Sequence, residues 1–339
     1  MSTATLAPGA CSAGATAATT TRPIAMRDAL LDRVCRAMAD DGDIFFTCAD
    51  FGSPVLDLIR ERFPDRFANV GIAEQNLINV SAGLAVEGYK VFAYAIAPFI
   101  TMRCFEQIRV NLALLSKVRS VNVNLIGVGA GYSYVVSGPT HQCYEDLTLM
   151  RALPNVAIYS PADHVAAAAL LDPCLANPGP KYLRLDAQVL PVLYPSGPPN
   201  LARGFGVHRN GGKVCLVATG YMLHTALKLA EQFTAAGRPV GVIDLFDLSG
   251  FDADGLERRL APYCGIVTLE EGFRGRGGLD AMMLDFLAHR NPDARFLNIG
   301  VEGDYRFELG TRAELHEQVG IGPQAASRSI DRFMRTLSA

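Results

Sequence analysis

The chain is poor in the features that mark nucleic-acid and membrane proteins. Its 31 Lys and Arg against 34 Asp and Glu leave a formal net charge of -3, and charged residues make up only 19% of 339. With no basic stripe, the electrostatic case for nucleic acid falls away. No apolar run reaches the roughly 18 to 20 residues that cross a bilayer, so no membrane span is expected. The eight cysteines, at 11, 35, 48, 104, 143, 174, 215 and 264, contain no CxxC pair. That pattern suits buried thiols in a reducing cytoplasm rather than a disulfide framework or a zinc site. Two glycine clusters, Gly127/Gly129/Gly131 and Gly275/Gly277/Gly278, do not form GxGxxG with an acid downstream, and GxxxxGK[ST] is absent. Both clusters read as turns.

What is present points to small-molecule chemistry on a large core. Half the residues are hydrophobic, and the length predicts about two domains. Residues 1–22 are rich in Ala, Ser and Thr, without the basic start and apolar middle of a secretory signal. They read as a disordered extension.

From Met26 onward, helical periodicity alternates with short β-like runs. Helices are expected at 26–39, 54–63, 77–88, 98–115, up to 151 and from 162; strands are expected at 43–50, 67–70, 90–96, 121–128, 156–160 and 181–186. This alternation predicts a mostly parallel sheet covered on both faces, residues 23–188, with ligands beyond the carboxyl ends of its strands. Pro191, Pro195, Pro198 and Pro199 mark a linker, residues 189–203. A second, smaller α/β domain, residues 204–339, is then expected, with strands at 214–218, 240–245, 266–269 and 295–299.

One carboxylate stands out. Glu74 lies where FANV, an expected buried strand, turns through Gly71 into a helix that Gly88 ends. Flanked by Ile72, Ala73 and Leu77, it should be largely desolvated, a setting that favours the protonated or proton-sharing form of a carboxyl. On residues alone two readings stand: an acid that handles protons, or an N-terminal acid that complements the helix dipole. A histidine at 141 in GPTHQ, an aromatic at 99, an acid at 50 and arginines at 27, 103 and 184 each have a plain structural reading as well.

Taken together, GIAEQN, the SAGLAVEGYK helix, PFITMRCFEQIR and GPTHQ resemble the pyrimidine-binding half of the thiamine diphosphate enzymes of the transketolase and deoxyxylulose-phosphate synthase group. GYMLHTALKLAEQF and VTLEEGFRGRGGL resemble the same family's C-terminal domain. The resemblance implies that Glu74 bonds the ring nitrogen of the cofactor's aminopyrimidine, so that the imino tautomer can deprotonate the thiazolium carbon to the ylid. It implies that Phe99 stacks on that ring and that Asp50 lies near the cofactor. It also implies that His141 hydrogen-bonds a sugar substrate, and that Arg184 and Arg27, with Arg103 as a further candidate, grip a substrate phosphate through a planar fork. Two positions depart from the pattern. Ser137 stands where most members carry an aspartate, and Gly129 where transketolases carry a second histidine. Ser137, with Tyr132, Ser133 and Tyr134, is left to make different substrate contacts.

Full-length members also carry a domain that binds the diphosphate and magnesium through a GDG…N motif, and no such segment occurs here. The expectation is the smaller subunit of a split transketolase-like enzyme. It would share thiamine diphosphate with a larger chain that supplies the Mg2+ ligands, self-associate into a heterotetramer, and transfer a two-carbon ketol unit from a phosphorylated ketose to an aldehyde. The alternatives are the beta subunit of a 2-oxo acid dehydrogenase, whose usual PIAE and HSQ are not matched, and a non-catalytic scaffold that has kept the fold.

Overall fold

The structure, a computed structural model, describes residues 22–337. Most of the expected 1–22 extension, and Cys11 with it, lies outside the described residues.

The chain builds two sheets. The first contains β1 (Ile44–Cys48), β2 (Phe67–Asn69), β3 (Lys90–Ile96), β4 (Val123–Val128), β5 (Ala157–Tyr159) and β6 (Lys181–Leu185). All pairs are parallel, in the order β2-β1-β3-β4-β6-β5. The central strands β3, β4 and β6 are buried almost throughout, which is why they read as near-continuous apolar runs. Two layers of helices close its faces. Met26–Asp40 packs Leu30, Leu31, Val34 and Met38 on one side, and Glu74–Val86 packs Leu77 and Ile78 on the other. β2 is a correction to the sequence reading: as the edge strand it is only half-buried, and Asn69 is exposed.

The stretch 99–117 is helical as its apolar spacing predicts, but not uniformly α. Phe99–Arg103 and Ile108–Leu114 are wound as π-helix around the short α-turn Phe105–Gln107. Such wide turns concentrate at functional sites, because they re-aim side chains.

The second sheet holds β7 (Phe205–Arg209), β8 (Val214–Ala218), β9 (Gly241–Leu245), β10 (Gly265–Phe273) and β11 (Arg295–Val301), in the order β11-β10-β8-β9-β7. β7 runs antiparallel along its edge. Neither it nor the helix Arg312–Gln318 is among the elements expected from periodicity. Among the described residues, no helix is long and apolar enough to cross a membrane. Seven of the cysteines are free thiols, and of these only Cys264 is exposed.

Buried charge joins the two sheets. Arg312 donates to Glu271 and pairs with Asp186, each at 2.7 Å, and lies 3.5 Å over the Tyr221 ring. His316 Nε2 meets Glu271 Oε1 at 2.7 Å. Burial alone would raise the Glu271 carboxyl, but Arg312 and His316 hold it well below the usual range. Groups engaged with one another in this way fix the orientation of one sheet on the other.

Candidate active site

The strand order locates the site. After β1 the chain moves outward to β2 and then returns to the far side of β1 as β3, so β1 and β3 flank a topological switch point, where open α/β sheets bind ligands. The loop after β1 carries Asp50, the turn after β2 leads to Glu74, and the helical stretch after β3 begins with Phe99. Loop 129–141 follows β4, next to β3.

Glu74 opens its helix and is 2% exposed. The expected burial is there, but Ile72 does not supply it, being 76% exposed. A guanidinium contributes instead: Arg103 Nη1 donates to Glu74 Oε2 at 2.6 Å. The acid therefore sits in a mixed setting rather than a purely apolar one, and Oε1 has no hydrogen-bond partner among the described residues. Arg103 also lies 4.5 Å over the ring of Phe99, and the Phe99 ring meets His141 edge-on at 5.2 Å. Glu74, Arg103, Phe99 and His141 thus form one continuous chain of contacts. His141 Nδ1 lies 3.0 Å from Thr140 Oγ1, which fixes the ring.

Asp50 is the one non-glycine with positive φ among the described residues, at 48°. It is clamped by Asn69, whose Nδ2 donates to Asp50 Oδ1 and whose Oδ1 accepts from the Asp50 amide, both at 3.1 Å. The same Oδ1 accepts from Gly71 at 2.9 Å, and Gly71 takes φ 76° to make the turn into the Glu74 helix. The acid after β1 and the acid after β2 are therefore positioned by one asparagine. A cavity of about 90 Å³, lined by Asp50, Phe51, Gly52 and Asn69 among others, opens beside Asp50.

The arginines separate. Arg184 is a correction: its side chain is 1% exposed, donating from Nε to Asp146 at 2.7 Å and from Nη2 to the Glu271 carbonyl. A guanidinium so enclosed offers no face to a phosphate. Spacing along the chain could not show an acid 38 residues away closing on it. Arg27 is half-buried and bonded to the neighbouring Asp28 at 2.8 Å. Arg103 donates from Nη1 to Glu74 and covers Phe99.

Loop 129–141 is closed at its base by a two-way bridge between Gly131 and Cys143. The Tyr132 amide donates to Glu271 Oε1 at 3.3 Å, tying the loop to the second sheet. Ser137 is exposed at the tip. Gly129 has φ 109°, and a Cβ there would fall inside the Tyr134 ring. No group of three or more His, Cys, Asp or Glu side chains suited to a metal occurs among the described residues.

With this geometry in place, comparison with known proteins is decisive. The transketolase pyrimidine binding domain matches residues 22–192, and the transketolase C-terminal domain matches residues 205–325. The chain belongs to the transketolase family. Within it, the chain is 28% identical to one subunit of an apulose-4-phosphate transketolase from Actinobacillus succinogenes, covering 86% of this chain and 93% of that protein. It is also 28% identical to a subunit of a 6-deoxy-6-sulfo-D-fructose transketolase from a Clostridium species, covering 87% and 90%. A solved split-gene transketolase, described as an inactive beta4 tetramer, superposes with a TM-score of 0.79 at 29% identity over 92% of this chain and 98% of that one. The family's two α/β domains are the two sheets described above.

Proposed function

We propose that this chain is the smaller subunit of a two-chain transketolase-like enzyme, which moves a two-carbon ketol unit from a ketose to an aldehyde. One observation carries the reading: a buried carboxylate with one oxygen unpartnered, Glu74, shares a contact chain with an aromatic ring, Phe99, and a histidine, His141, at the switch point of the sheet. The residues fit thiamine diphosphate. Glu74 Oε1 is available to an aminopyrimidine nitrogen and the half-buried Phe99 ring to its face, while Asp50 is tied through Asn69 to the turn that leads into the Glu74 helix. When bound, the cofactor supplies the carbanion chemistry that no side chain provides.

This chain's own part is proton handling and placement. Glu74 gives or takes a proton at Oε1 while Arg103 fixes Oε2, so the acid cannot rotate away. His141, held by Thr140, presents its free ring nitrogen to a sugar oxygen. The diphosphate and Mg2+ would be held by a partner chain, and the cofactor would lie between the two. Ile72 and Val136, exposed on segments that carry site residues, are side chains that such a partner would cover.

The test is cofactor-dependent hydrogen–deuterium exchange at the thiazolium carbon, for this chain alone and mixed with a chain carrying the diphosphate-binding domain. Fast exchange only in the mixture, lost with Glu74→Ala, is expected. Absence of exchange in a mixture shown to associate would favour a scaffold that has kept the fold.

A further inference from the structure

Position 129 carries no side chain for a structural reason. The Gly129 backbone, at φ 109°, disfavours one, and the room it would take is already filled by the ring of Tyr134.

That phenol is not packing material alone. Tyr134 is half-buried, and its hydroxyl makes no hydrogen bond among the described residues. Tyr94, at the carboxyl end of β3, is 0% exposed, and its hydroxyl lacks a well-formed hydrogen bond. Arg27 is felt electrostatically by both hydroxyls, and Tyr94 feels Tyr134, although Arg27 commits its own best hydrogen bond to Asp28. Buried hydroxyls left without good partners are costly and uncommon. The Tyr94 hydroxyl is one of these, while that of Tyr134, on the partly exposed loop and within reach of the Arg27 charge, is free to bond a ligand oxygen.

We propose that Tyr134 is a specificity-determining residue of this site: its ring takes the space above Gly129, and its hydroxyl hydrogen-bonds an oxygen of the substrate's polyol chain. Arg27, itself partly exposed, lies near that hydroxyl. The proposal rests on the function proposed above and adds which part of the substrate is read, namely the hydroxylated chain beyond the transferred two-carbon unit. A phenol suits a neutral hydroxyl. Burial pushes Tyr134 up to about 12, an effect Arg27 only partly offsets, so the group stays protonated and uncharged across physiological pH.

The test compares two donors in the two-chain complex: D-fructose 6-phosphate, which carries a polyol chain, and hydroxypyruvate, which does not. Tyr134→Phe keeps the ring and removes only the hydroxyl. It is expected to lower the ratio of kcat/KM for the ketose over hydroxypyruvate about tenfold, with thiazolium exchange unchanged. Tyr134→Ala, which also empties the space above Gly129, should lower the ratio further. An unchanged ratio in Tyr134→Phe, equal losses on both donors, or a wild-type complex that exchanges deuterium yet never uses the ketose would overturn the proposal. A wild-type complex with no exchange at all would instead overturn the function on which it rests.

Discussion

Arg103 holds Glu74 and covers Phe99 with the same guanidinium: Nη1 is 2.6 Å from Glu74 Oε2, and the group lies 4.5 Å above the aromatic ring. One side chain thus sets both the acid and the ring assigned to the cofactor. Arg103→Met removes the side-chain partner of the buried Glu74 carboxylate, so it should lower stability by about 1 to 3 kcal/mol, although Arg103 itself is 39% exposed and its loss leaves no cavity. It should weaken cofactor binding by about tenfold or more, the usual scale for a hydrogen bond to a charged group. Titration of the two-chain complex with thiamine diphosphate measures this. Glu74→Gln, nearly isosteric, should bind the cofactor yet lose roughly 10² to 10⁴ in exchange rate.

The backbone at Asp50 is strained for a non-glycine residue, and Asn69 holds it there from both sides. Strain of this kind costs about 1 kcal/mol or more and persists where surrounding structure over-determines it. Asp50→Gly relieves the strain and forfeits one hydrogen bond, so thermal unfolding should move by no more than about 1 kcal/mol. Cofactor affinity in the complex should fall if the carboxylate itself contacts the bound group, and calorimetric titration reads that directly.

The helix alternation of the first sheet and most of the second was legible because each strand or helix carries its own period. β3 and β8 run at the residues their apolar runs occupy. β7 was not legible, since an antiparallel edge strand is half-exposed and carries no strong pattern. The helix Arg312–Gln318 did leave a signal: Thr311 and Glu314 form a capping box, a spacing visible in the sequence. Glu74, Phe99 and His141 stood out by resemblance, and the fold strings them along one line of contacts. Resemblance also offered Arg103 and Arg184 to a phosphate. Both arginines found their acids through tertiary contacts that no local pattern encodes.

The interdomain cluster makes its own demand. Arg312 is 5% exposed and faces two carboxylates, so Arg312→Met strands Asp186 as a buried, unpaired charge and leaves Glu271 to His316 and the Tyr132 amide. Breaking a buried pair in this way costs about 3 to 5 kcal/mol. Urea unfolding should show that loss, together with a split into two transitions as the sheets uncouple.

Asp244 sets a pH dependence of opposite sign to ordinary acid denaturation. Burial, with the neighbouring Asp163 charge, pushes its carboxyl up to about 8, even though Tyr194 donates to Oδ2 at 2.7 Å. Its folded value lies above the unfolded one, so its stabilising contribution is complete below about pH 4 and is lost as pH rises towards 8. Asp244→Asn removes the titration while an amide oxygen keeps the bond from Tyr194. The variant should therefore gain on wild type by at least about 1.4 kcal/mol between pH 5 and pH 9, one pKa unit's worth. Urea midpoints for both proteins across that range measure the difference. Parallel curves would mean that the Asp244 carboxyl is not raised on folding, the bond from Tyr194 then outweighing its burial.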